Sequence, residues 1–200
     1  MSDRSDPFEW SGGHPALDFV NTLDERPSDS PIENLSTYRD LVRFAELAGL
    51  VEASITARLT RLDGRACARI AERARKLREH LYAVLDGGRS GRQASQHDLD
   101  AITAAIKAAH AARILIGSKP NALARYDWSP SLAPEIPLHA CALAIEALLV
   151  HEDGKRIRKC GASDCSVYYI DASKAQLRQW CSMKGCGNRE KQRRWRSAAR

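Results

Sequence analysis

Four cysteines near the C-terminal end constrain this chain more than any other feature. Cys160 and Cys165 have four residues between them, as do Cys181 and Cys186, and 15 residues separate the pairs. Two close cysteine pairs joined by a short spacer form the donor set of a closed tetrahedral zinc site. The same thiols also suit an iron–sulfur cluster or two disulfides. Disulfides conflict with a reducing compartment, and Met1 to Pro7 lacks the apolar core of a secretory signal, so a cytoplasmic location is expected. Four thiolates leave no open coordination position. The expected cofactor is therefore one structural zinc ion on Cys160, Cys165, Cys181 and Cys186. The segment is poor in apolar residues, so the metal is expected to supply its folding energy.

The sequence around the cysteines predicts their supports. Strand formers flank the first pair, Ile157 before it and Val167-Tyr168-Tyr169-Ile170 after it, which reads as a hairpin with the knuckle at its tip. Ser173-x-x-Gln176 resembles a capping box for a short helix through Trp180. A helical run from Asn188 to Ala199 follows the last cysteine.

Charge follows the same boundary. Residues 154–200 hold 13 Lys/Arg against three Asp/Glu, whereas the preceding residues carry a small acidic excess within a net charge of +6. A basic tail on an acidic body implies an acidic partner, most often nucleic acid, or else a solvated basic face. On a helix, Arg189, Arg193, Arg196 and Arg200 share one face, flanked by Lys191 and Arg194. Such a helix, fixed at its start by the metal, suits contacts to phosphates and guanine edges, so DNA is the expected partner. Asn188 is placed to contact a base or to cap the helix. Trp180 and Trp195 are expected to pack within the metal domain. If about five phosphates are neutralised, log K should fall against log salt with a slope of about −4 to −5.

The rest of the chain, residues 1–153, reads as a mostly helical domain. Pro15 fits a first helical position after the Gly12-Gly13 turn, and residues 24–34 read as a loop. Thr37-x-x-Asp40 resembles a capping box for a helix ended by Gly49. Cys67, Ile70, Ala74, Leu77, Leu81 and Val84 form an apolar stripe through 65–86, stopped by Gly87-Gly88. Ser95-x-x-Asp98 opens a helix over 99–112. Residues 113–117 and 123–128 read as a hairpin turning at Lys119-Pro120-Asn121, and a proline-rich loop with Pro130, Pro134 and Pro137 follows. Leu138 to Val150 is a nearly all-apolar helix, and His151 to Gly154 marks the boundary with the tail. The fold class is thus mainly α, or α+β with a small hairpin. A helical N-terminal domain precedes a four-cysteine finger made of a hairpin knuckle, a short helix and a basic helix. No run of about 18 apolar residues is present, so no membrane span is expected.

The stretch Arg178-Gln-Trp180-Cys181-Ser-Met183-Lys-Gly-Cys186-Gly187-Asn188-Arg189 closely resembles the signature of the CGNR zinc-finger family, as do Cys160-x4-Cys165 and Tyr169-Ile170-Asp171 upstream. Tyr169 stands where that pattern has phenylalanine. Gly13-His14-Pro-Ala-Leu17-Asp18-Phe19-Val20-Asn21-Thr22 resembles the start of the ABATE domain that precedes this finger. The resemblance covers nearly the whole chain and implies a bacterial, stress-linked transcription regulator.

For the body, the resemblance leaves two roles, binding a small-molecule effector or driving homodimerisation, the latter because a single finger helix grips DNA weakly. Its six histidines are scattered with no spacing of a metal pair or triad, and Asp18, Asn21 and Thr22 read as polar groups satisfying nearby backbone, with ligand binding as the alternative. Cys67 and Cys141 read as core residues. Phosphate-loop, nucleophile-elbow and zinc-protease motifs are lacking, so no catalytic residue and no enzyme are expected. The alternatives are a general RNA or nucleic-acid binder, and a zinc-stabilised protein-interaction module.

Overall fold

The computed structural model describes residues 6–117, 123–150 and 155–198. It divides into two compact units. One comprises 35–147, and the other joins the N-terminal 34 residues to 148–200. The compact units do not follow the charge boundary near residue 154.

The first unit is helical. Helices α2 (Tyr38–Leu47), α3 (Ala53–Leu59), α4 (Gly64–Arg89), α5 (Gln96–Ala111) and most of α6 (Ile136–Val150) carry it, with a hairpin of β3 (Arg113–Gly117) and β4 (Ala124–Trp128). The Thr37 capping box forms as the sequence predicts, with the Thr37 hydroxyl accepting from the Asp40 amide and the Asp40 carboxylate accepting from Thr37. The α4 stripe is buried through Cys67, Ile70, Ala74, Leu77 and Leu81. Cys141 and Ile145 of α6 are further fully buried parts of the core. Burial pushes the Cys141 and Cys67 thiols up, as expected of inert core residues.

Several boundaries differ from the sequence reading. Helix α4 runs through Gly87-Gly88 to Arg89. Its stop lies at Ser90, whose amide donates to Asp86 and Gly87 carbonyls, and at Gly91, whose φ of +68° a side chain would resist. Ser95 flanks α5 without a side-chain capping bond. The proline-rich loop is a 3-10 turn over Pro130–Glu135, and Pro137 sits in the first turn of α6, where a missing N–H costs nothing. The stretch Ala133–Val150 is long and apolar enough to cross a membrane by composition, yet much of it is consumed by packing: Leu138, Cys141, Ile145 and Leu148 are buried. Its end, at Leu149 and Val150, opens to solvent. The Lys119–Asn121 turn and the His151–Gly154 boundary lie outside the described residues.

The second unit contains α1 (Pro15–Val20), a two-residue hairpin of β1 (Leu23–Asp24) and β2 (Ile32–Glu33) inside the expected loop, a second hairpin of β5 (Ile157–Lys159) and β6 (Tyr168–Ile170), and α7 (Asn188–Ala198). Helix α1 buries Leu17, Phe19 and Val20. Strands β5 and β6 pair antiparallel, with Ile157 opposite Ile170 and Lys159 opposite Tyr168. The N-terminal segment belongs to this unit because it bonds to β6. Asn21 Nδ2 donates to the Tyr168 carbonyl while the Tyr168 amide donates to Asn21 Oδ1, each at 2.9 Å, and the Ile170 amide donates to the Gly12 carbonyl. Gly12 cannot carry a side chain, since a Cβ there would lie 2.6 Å from Asp18 Oδ1.

Candidate metal centre and basic helix

The hairpin β5–β6 presents Cys160 and Cys165 at its turn, where the Cys160 amide donates to the Val167 carbonyl. The second pair arrives by a route the sequence did not predict. Residues 173–180 form turns rather than a helix. The Ser173 hydroxyl donates to Asp171 at 2.6 Å instead of capping a helix, and Gln176 adopts a φ of +51° that interrupts helical propagation. Buried Asp171 organises this loop, also accepting from the Arg178 amide at 2.9 Å. These hydrogen bonds hold its carboxyl below its ordinary range. Arg178 then lies over the Tyr169 ring, 4.4 Å from its centre, while the Tyr169 hydroxyl donates to the Arg178 carbonyl. The Arg178 guanidinium reaches the Trp180 and Cys181 carbonyls and so fixes the second knuckle. Tyr169 keeps both its ring packing and a hydroxyl partner, which explains how the tyrosine serves in this position.

All four cysteines are free thiols, and their sulfurs lie within 4.8 Å of one another. Cys165 and Cys181 are 3.8 Å apart, and Cys181 and Cys186 are 3.6 Å apart. Zinc–sulfur bonds of about 2.3 Å in a tetrahedron place sulfurs about 3.8 Å apart, so the cluster fits one zinc ion. Without a cation the thiols oppose one another: hydrogen bonds from Cys165 and Cys181 favour a thiolate at Cys160, and holding the proton of its hydrogen bond to Cys160, with burial, pushes Cys165 up to about 12. A central dication reverses this and stabilises four thiolates together. Donors toward sulfur are already present, from the Cys181 amide to Cys160 and from the Arg189 guanidinium to Cys186 at 3.2 Å. The surrounding core is small, consisting of the cysteines with Ala162, Val167, Tyr169 and partly buried Trp180.

A π-type turn over Met183–Gly187 carries Cys186 directly into α7, and the Ser182 hydroxyl accepts from the Gly185 amide within it. The arginines of α7 then divide. Arg189 and Arg193 turn back on the first knuckle, where both pair with Asp164 at 3.4 and 3.3 Å, and Arg193 also pairs with Glu190. Lys191, Arg194 and Arg196 are exposed and make no ion pair among the described residues. Asn188 donates from its amide to the Lys184 carbonyl at 3.3 Å, which ties it to the preceding turn rather than capping α7 through its oxygen. Arg200 lies outside the described residues. Trp180 packs against the cysteine cluster as expected, but Trp195 does not, being 84% exposed between Lys191 and Arg196. Helical geometry turns position 195 away from the knuckle that positions 189 and 193 face.

The N-terminal polar residues serve the backbone. His14 accepts from the Ala16 amide at the start of α1, Asp18 accepts from the Gly12 amide at 2.8 Å, and the Thr22 hydroxyl donates to the Phe19 carbonyl. Burial, aided by Glu9, pushes the Asp18 carboxyl up to about 6. The pairing of Asn21 with Tyr168 was not legible, since nothing local marks a partner so distant in the chain.

A helical unit joined in one chain to a compact four-cysteine zinc centre defines a zinc-finger protein whose metal is structural. Comparison with family models agrees. Residues 13–152 match ABATE, described as a putative stress-induced transcription regulator, and 156–199 match the CGNR zinc finger. The chain belongs to the ABATE family and carries the CGNR finger. Neither family is one of enzymes. A search of curated proteins returned no match.

Proposed function

We propose that the protein is a cytoplasmic transcription regulator that binds DNA through α7. One observation carries this reading: Lys191, Arg194 and Arg196 stand exposed on a helix anchored at Cys186, with no carboxylate neutralising them among the described residues, beside the exposed Trp195 ring. Free cations on a rigid helix gain by releasing counterions from phosphates. Arg189 and Arg193 act mainly by tying α7 to Asp164, and Asn188 by holding the turn that precedes it. Arg200 adds one more positive charge to the same basic segment of the sequence. With three free cations, the salt slope expected is about −3. The helical unit supplies effector binding or dimerisation, and no catalysis is assigned to the chain.

Selection of fragments from a genomic library by the zinc-loaded protein, at near-physiological salt, tests the reading. Enrichment of a common duplex site supports a sequence-specific regulator. Binding that follows charge alone, or prefers RNA, indicates a general nucleic-acid binder. No salt-dependent binding to any nucleic acid contradicts the proposal and leaves a zinc-stabilised interaction module.

A further inference from the structure

Outside the cysteine cluster, one other group of metal-ligating side chains converges among the described residues. His80 on α4 meets His97 and Asp98 in the first turn of α5, and one ligand atom from each lies within 4.8 Å of the others. His80 Nδ1 and Asp98 Oδ1 are 2.8 Å apart. The His80 and His97 rings meet edge to face, with centres 5.4 Å apart. The histidine spacing conceals this, because α4 and α5 bring position 80 against positions 97 and 98.

From this juxtaposition we infer a second metal site, in the helical unit, that takes a divalent transition-metal ion on His80, His97 and Asp98. Two borderline imidazole donors beside one hard carboxylate suit zinc, nickel or cobalt rather than calcium or magnesium, which favour all-oxygen sets. Two helices supply them, so the frame is fixed before the ion arrives. The His80 and Asp98 side chains are 25% and 18% exposed, sheltered yet reachable, while His97 is exposed and opens the site to solvent. No lysine or arginine pairs with Asp98 among the described residues, which leaves its charge for a cation. An ion entering here takes the place of the hydrogen bond between His80 and Asp98, and the displaced proton passes to the far ring nitrogen or to water. Three protein ligands leave at least one position for water. The site is therefore exchangeable, unlike the closed four-cysteine centre. His110 and Glu146 make a similar 2.8 Å contact without a third donor and serve as an internal control.

The test is calorimetric titration of zinc into full-length protein already loaded with one zinc, with histidine ring nitrogens followed by NMR. The wild type should take up one further equivalent, shifting the His80 and His97 signals. His97→Gln, an exposed change that leaves the fold intact, should weaken that uptake about tenfold or more, and His80→Gln likewise. Asp98→Asn should weaken it by a comparable factor. His110→Gln should leave it unchanged. No second equivalent in the wild type, or a second equivalent indifferent to His80→Gln and His97→Gln, overturns the inference. The readout does not depend on DNA binding, so its failure is distinct from failure of the regulator proposal.

Discussion

Asn21 and Tyr168 stand 147 positions apart and are joined by a reciprocal pair of 2.9 Å hydrogen bonds between the Asn21 side-chain amide and the Tyr168 backbone. The asparagine side chain thereby acts as one more residue of the β5–β6 sheet. Both groups are buried, so neither water nor another side chain replaces the lost partner. Asn21→Ala should destabilise the zinc-loaded protein by about 2–3 kcal/mol in denaturant unfolding. Asn21→Asp should also destabilise it, because a carboxylate cannot donate to the Tyr168 carbonyl. A change below about 0.5 kcal/mol for Asn21→Ala would show that the pair contributes little.

The same contact bears on the autonomy of the finger. Residues 155–200 expressed alone lack Gly12, α1 and Asn21, and leave the β6 backbone groups that these satisfy without partners. The fragment should bind zinc yet show weaker amide protection at Tyr168 and Ile170 than the intact protein. Equal protection in both would contradict the assignment of the N-terminal segment to the finger's unit.

Asp18 gives a pH dependence with a defined sign. Its folded carboxyl is raised to about 6 from an ordinary value of 3.8, mainly by burial. A raised acid favours the folded state fully below 3.8, and that contribution is lost as pH rises through about 6. Asp18→Asn removes the titration and retains an acceptor for the Gly12 amide. The stability of Asp18→Asn relative to wild type should therefore increase between about pH 4 and about pH 6 and level off above, read as the difference in thermal midpoint. A difference that stays flat across this window contradicts the raised carboxyl.

Zinc should be separable from the helical unit. Cys181→Ser removes a thiolate central to the cluster, 3.8 and 3.6 Å from Cys165 and Cys186. Elemental analysis should find one zinc in the wild type and a substoichiometric amount in the variant. Helical circular dichroism from α2, α4, α5 and α6 should persist, because their core contains none of the four ligands. Full retention of zinc by Cys181→Ser would contradict the ligand assignment.

Much of the metal centre was legible in the sequence, because thiol chemistry and spacing are local. The β5–β6 hairpin and the helix after Cys186 were readable for the same reason. What escaped depended on competition for partners. Ser173 looked like a helix cap until Asp171 claimed its hydroxyl, and Ser95 looked like one although its side chain makes no such bond. Gly87-Gly88 looked like a stop, but two glycines cost only about 2 kcal/mol against a long buried stripe. On a helical wheel Arg189, Arg193 and Arg196 shared one face. Asp164, distant in sequence, separates Arg189 and Arg193 from Lys191, Arg194 and Arg196. The exposure of Trp195 follows from the same division. His80 and Asp98 lie 18 positions apart on different helices, so only the packing of α4 against α5 reveals them as neighbours.

The most direct measurement is fluorescence anisotropy of a labelled duplex with the zinc-loaded protein, titrated at several salt concentrations. The account predicts a logarithmic slope of about −3 for the wild type, reduced by about 2 in Lys191→Ala/Arg194→Ala with zinc content unchanged. Binding that is absent, insensitive to salt, or unaltered by those two substitutions would contradict it.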